Sequence, residues 1–183
     1  QSLELVVQSE HTREEVLRHI AASDDGRWLV SASDRRVRIW DLRSGNMLRT
    51  WGAAKTITSV AISPGNGNNI ALADESLLAI YDSRSGKLRW STSGSRNSPR
   101  SLFTPDGQFL LWDGESSSSD SIAVLKVADG SLVRRIETGG HRLRAISPEG
   151  RWMATTRAQA GVDAVEIALW NLANGRRMAL WAD

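Results

Sequence analysis

The sequence predicts an all-β chain of four tandem four-stranded repeats, and three observations carry that prediction. The segments RVRIWDLRSGNML (36–48), LLAIYDSRSGKLR (77–89), IAVLKVADGSLVR (122–134) and EIALWNLANGRRM (166–178) align on Gly45, Gly86, Gly130 and Gly175, a period of 41 to 45 residues. A second series precedes them: ASDDGRWLVSAS (22–33), ISPGNGNNIALA (62–73), FTPDGQFLLWDG (103–114) and ISPEGRWMATTR (146–157). Each of these sets two apolar stretches around a Pro, Asp or Gly turn, the punctuation of a β-hairpin. Helical periodicity is sustained nowhere.

Each repeat therefore reads as four short strands, which in the first fall at about 17–22, 27–33, 36–41 and 47–51. HTREEVLRHIAA (11–22) alone would suit a helix, but residues 16–22 occupy the first-strand position of the alignment, so a strand is expected. Four-stranded sheets that bury both faces against their neighbours stack radially about a channel as the blades of a β-propeller. The blades are expected at about 11–51, 52–91, 92–137 and 138–181, with an extra outer strand, LELVV, at 3–7. That strand lacks three companions, so the chain is expected to be a partial propeller with exposed blade faces. A four-bladed ring with one outer strand displaced, or a homodimer of half-propellers, are the alternatives.

The aromatic residues follow the repeat. Trp40, Tyr81 and Trp170 share one third-strand position, which Leu125 fills in the third repeat, and Trp51, Trp90 and Trp181 close fourth strands. Periodic placement of this kind points to packing between blades and away from a ligand cage.

Composition narrows the function. The chain has 183 residues, 40% hydrophobic and 24% charged, which is enough to bury a core and too ordered a composition for a disordered tail. No apolar run approaches the roughly 18 to 20 residues of a membrane-spanning helix, and no membrane partner is expected. The absence of Cys excludes disulfides, thiolate metal sites and a cysteine nucleophile, and a cytoplasmic location is the expectation. The chain begins at Gln1, as a processed or excised piece would. The pI near 9.5 invites a nucleic-acid reading. No quarter of the sequence carries a cationic excess above two, however, so nucleic acid is not an expected partner.

No catalytic, metal or cofactor constellation emerges. His11, His19 and His141 lack metal-ligand spacing, and GNGNN (65–69) lacks the Lys and following helix of a phosphate loop. Asp113 and Glu115 stand beside SSSS (116–119), an insertion expected to form a mobile surface loop. What remains is a rim. The loops entering the first strands carry Arg13, Lys55, Arg96, Arg100, His141 and Arg142, so this rim leans basic and suits an acidic protein or peptide partner.

With His11, SDDG (23–26), LVSAS (29–33), Asp34 six residues before Trp40, and IWD (39–41), the first repeat resembles the WD-repeat family. The resemblance implies a non-catalytic interaction scaffold or sensing module, and a structural tetrad of His11, Ser31 or Ser33, Asp34 and Trp40. The other repeats depart from it: Gly52-Ala53 and Glu75 in the second, Leu125-Lys126 in the third, and a shorter loop around His141 in the fourth. IYDSRSGKLRW (80–90) is also similar to the docking repeat of quinoprotein-like propellers, in which a Trp docks between blades. That resemblance would imply a quinone-dependent dehydrogenase fragment, but the cation-coordinating acids and cofactor platform of such an enzyme cannot be assembled from these residues.

Overall fold

The computed structural model describes residues 16–53, 55–94, 99–115, 120–158 and 164–182. They form sixteen strands in four antiparallel sheets, each with its strands in sequence order. Blade one comprises β1 (Leu17–Ala22), β2 (Trp28–Ser33), β3 (Arg36–Asp41) and β4 (Met47–Gly52). Blade two comprises β5 (Ser59–Ile62), β6 (Asn69–Ala73), β7 (Leu77–Asp82) and β8 (Leu88–Ser93). Blade three comprises β9 (Ser101–Phe103), β10 (Phe109–Trp112), β11 (Ser121–Lys126) and β12 (Leu132–Glu137). Blade four comprises β13 (Arg142–Ile146), β14 (Trp152–Ala158), β15 (Val165–Asn171) and β16 (Arg177–Ala182). The expected extra strand at 3–7 lies outside the described residues, as do His11, Arg13 and Arg96.

Two turns recur because the same chemistry recurs. Between the first two strands, the hydroxyl of Ser23, Ser63, Thr104 or Ser147 accepts the backbone N–H that opens the second strand, at 2.9 to 3.0 Å. Between the last two, the side chain of Asp41, Asp82 or Asn171 accepts an N–H three residues on, at 2.8 to 3.3 Å. A short acceptor beginning a turn holds the backbone in place of a strand partner. Blade three has Lys126 there, and Asp129 accepts from Ser131 N–H instead, at 2.9 Å.

The middle strands of the first three blades are largely apolar and buried because neighbouring blades cover their faces. Three hydrophobic cores lie in the three seams between consecutive blades. Val30, Val37 and Ile39 meet Ile70 and Leu72 in the first, and Leu78 and Ile80 meet Leu110, Trp112 and Leu125 in the second. In the third, Leu111, Ile122 and Val124 meet Leu143, Met153, Ala168 and Trp170. No core among the described residues joins blade four back to blade one. The inner strands β1, β5, β9 and β13 run side by side in that order, and the first three wall a cleft of about 590 Å³ through Ile20, Val60, Ile62, Leu102 and Phe103.

Each seam is also tied by a long side chain of an outer strand that reaches a turn carbonyl of the next blade. Arg49 Nη2 donates to Arg84 O at 3.0 Å, Trp90 Nε1 to Val127 O at 2.8 Å, and Arg134 Nη1 to Ala173 O at 2.9 Å. Trp90 is thus inserted between blades two and three, the geometry that the docking-type resemblance of 80–90 implies. The fourth blade has Ala179 at this position.

Candidate functional site

Strand register relates the blades residue by residue. Trp40, Tyr81, Leu125 and Trp170 lie opposite Leu29, Ile70, Leu110 and Met153, so Ser31, Leu72, Trp112 and Thr155, two residues further along, are equivalent. Trp40 Nε1 donates to Ser31 Oγ at 2.8 Å, which selects Ser31 over Ser33 as its partner; Ser33 Oγ faces Arg36 O at 3.3 Å. Asp34 is paired with Arg18, and His11, the remaining member of the expected tetrad, lies outside the described residues.

Among the described residues the fullest side-chain network stands in blade four, so the first repeat is not alone in carrying such a set. Trp170 Nε1 donates to Thr155 Oγ1 at 2.8 Å, and Thr155 Oγ1 lies 3.2 Å from His141 Nδ1. His141 Nε2 faces Glu166 at 3.5 Å, and Glu166 is held by Arg157 at 2.6 Å. Burial, then the charge of Arg157, pushes the His141 imidazole below its ordinary pKa, against the pull of Glu166. With the ring proton on Nε2, Trp170 donates to Thr155, Thr155 O–H donates to Nδ1, and Nε2–H faces Glu166. His141 is 1% exposed, so its assignment to the partner-binding rim is also corrected. It is spent inside the blade.

Blade three replaces the pair altogether. Leu125 takes the Trp position and packs in the second seam, while Trp112 supplies an indole from the second strand. Gly94 and Gly114 make room for it: a Cβ on either would come within 2.5 Å of the Trp112 ring. Asp113, expected in a mobile loop, is instead fully buried and accepts from Arg100 N–H at 2.6 Å and Leu143 N–H at 3.1 Å. It thereby ties blade three to blade four. Glu115 is paired with Arg135.

The exposed site is built at the head of the inner strands. By register with the second strands, His19 in β1, Ser59 in β5, Arg100 just before β9 and Arg142 opening β13 are equivalent positions. A bulge after Leu143 adds Arg144, whose Nε donates to Thr156 Oγ1 at 2.6 Å. These cations are close enough to act on one another. Burial first, then Arg100 and Arg142, pushes the Arg144 guanidinium down, with Asp113 opposing. Burial, then Arg100 and Arg18, pushes the His19 imidazole down, against a hydrogen bond to the Ile57 backbone. Lys55 is exposed on the loop before β5. Sequence reading placed Arg100 and Arg142 on one rim but missed His19 and Arg144, whose position depends on strand register and on a bulge that no turn residue marks.

Four stacked four-stranded sheets tied by inserted outer-strand side chains define a β-propeller type of protein. Residues 4–41 match the WD domain, G-beta repeat. Autophagy-related protein 16 of Arabidopsis thaliana is similar, 31% identical over 124 residues, covering 62% of this chain and 23% of that protein. Hydrazine synthase of Kuenenia stuttgartiensis shares the fold, with a TM-score of 0.79 at 18% identity over 96% of this chain and 52% of that one. The chain thus spans about a quarter of the curated relative and about half of the structural neighbour.

Proposed function

We propose that this chain is a protein-interaction module whose basic inner rim, formed by Arg100, Arg142 and Arg144 beside His19, receives an acidic segment of a partner protein. The observation that carries the reading is the convergence of these residues from three different blades at equivalent strand positions. Like charges so placed repel one another in the free protein, and an incoming carboxylate relieves the repulsion. The WD repeat and its similarity to an autophagy-related protein support an interaction role. The buried network of His141, Thr155 and Trp170 supports a structural role for the remaining polar groups.

The test uses a fluorescein-labelled peptide of alternating Glu and Ser. Binding by the wild-type chain is expected at low salt and to weaken steadily as salt rises. Arg100 is exposed, so Arg100→Glu should leave the fold intact while weakening binding about tenfold or more. Adding Arg142→Glu should remove binding. A peptide that binds equally to wild type and both variants would eliminate this rim.

A further inference from the structure

On the opposite rim, the seam between blades three and four opens into a groove of about 710 Å³. Its floor is apolar, formed by Phe109, Leu111, Val124, Val133 and Leu172. The matching groove between blades two and three is about 380 Å³, with Asn69 in place of Phe109 and Arg89 in place of Val133. The difference has a visible source. Trp90 lies opposite Ile80 in its sheet as Arg134 lies opposite Val124, so the two are equivalent. The Trp90 indole rests on Gly130, where an added Cβ would come within 2.7 Å of the ring, and is bonded to Val127 O. Arg134 reaches Ala173 O but brings no ring, and Phe109 stays half-buried and Val133 exposed there, above the buried Leu111, Val124 and Leu172.

The charges at the mouth are not equally engaged. Arg134 is committed to Ala173 O, and Arg151 stacks on Trp152 with its guanidinium carbon 4.6 Å from the ring centroid. On the acidic side, Asp106 accepts from Thr104 O–H and Gln108 N–H. Glu149 is exposed and has no hydrogen bond or ion pair among the described residues. A ligand here gains by covering the apolar floor and by presenting a cation to Glu149.

We propose that this groove is a second docking site, independent of the basic inner rim, for a short peptide segment carrying an aromatic side chain and, two residues on, a Lys or Arg. The aromatic ring covers Phe109 and Val133 beside Arg134, and the cation meets Glu149. Two such sites on opposite rims would let one module hold two partners.

The experiment is a titration of the isotope-labelled chain with the blocked peptide Ser-Gly-Trp-Gly-Lys-Ser, followed by amide chemical shifts. Shifts are expected at Phe109, Val124, Val133, Glu149 and Leu172, and not at the inner-strand cluster of His19, Arg100 and Arg142. Arg134→Trp should abolish them, because it recreates in this seam the plug that Trp90 already forms over a glycine turn in the last. Val133→Glu and Glu149→Lys, both at exposed positions, serve if that variant does not fold. Each should weaken binding about tenfold, as should replacing the peptide's Lys by Glu. Absence of shifts at millimolar peptide, shifts at the inner-strand cluster instead, or binding indifferent to these changes would overturn the proposal.

Discussion

Thr155 serves two buried partners with one oxygen: it accepts from Trp170 and meets His141, and all three side chains are removed from water. Thr155→Val should therefore lower stability by about 1–3 kcal/mol, the cost of leaving buried donors and acceptors unpaired, whereas Thr155→Ser should retain most of it. Thermal unfolding of the two variants checks this; a Thr155→Val variant as stable as wild type, with the loss confined to Thr155→Ser, would show that the methyl packing matters and the hydroxyl does not. The network also sets a pH dependence. His141 is held below its ordinary value of 6.5 in the folded chain, so the unfolded chain takes up its proton first as pH falls. Stability should thus be fully present above about pH 6.5 and decline below it until the folded imidazole also protonates, and His141→Gln should flatten that part of the profile. The role was half legible. Sequence placed His141 both in a structural set and on the binding rim, and only burial decides between them.

At the scale of the element, the outer strands and the turns they touch form a repeating lock. Gly130 and Gly45 occupy the same turn position with φ of +74° and +71°, a region costly for any residue with a Cβ. A Cβ on Gly45 meets nothing within 4 Å, whereas one on Gly130 comes within 2.7 Å of the Trp90 ring. Gly45→Ala should cost about 1–2 kcal/mol from backbone strain alone. Gly130→Ala should cost a further 1–3 kcal/mol, roughly, because the indole must shift. Chemical denaturation in a Trp90→Ala background is the control, since the excess should vanish when the ring is absent. If it persists, the lock is not what the glycine serves. Strands and turns at this scale were readable because hairpin residues and glycines repeat at fixed intervals. Of the exchange in blade three, Leu125 in the Trp position was readable, but Trp112 standing in for it from the second strand was not. It shows only when second and third strands are placed in register, because a one-dimensional alignment compares equivalent positions and not the residues facing them.

For the whole molecule, the deciding feature is the face of blade four that no other described blade covers. Val37, Leu78 and Ile122 occupy one position in successive blades and are 0% exposed, each covered by the blade that follows. Ile167 holds that position in blade four and is 47% exposed, beside Trp181 at 54% and Val165 at 47%. Ile167 and Trp181 face each other across adjacent strands, so the exposed residues form a continuous apolar patch. The apolar alternation that builds the three seams is therefore still present where no seam forms. It was visible in the sequence as a repeat like the others, but exposure could not be read there because it depends on which blade comes next. The isolated 20.1 kDa chain should accordingly self-associate, with a mass by light scattering that rises with concentration. Ile167→Lys with Trp181→Lys should return it to a steady monomer without loss of β-structure, because both side chains already meet solvent and contribute little to any internal core. A wild-type chain that stays monomeric at every concentration would show that this patch does not drive association.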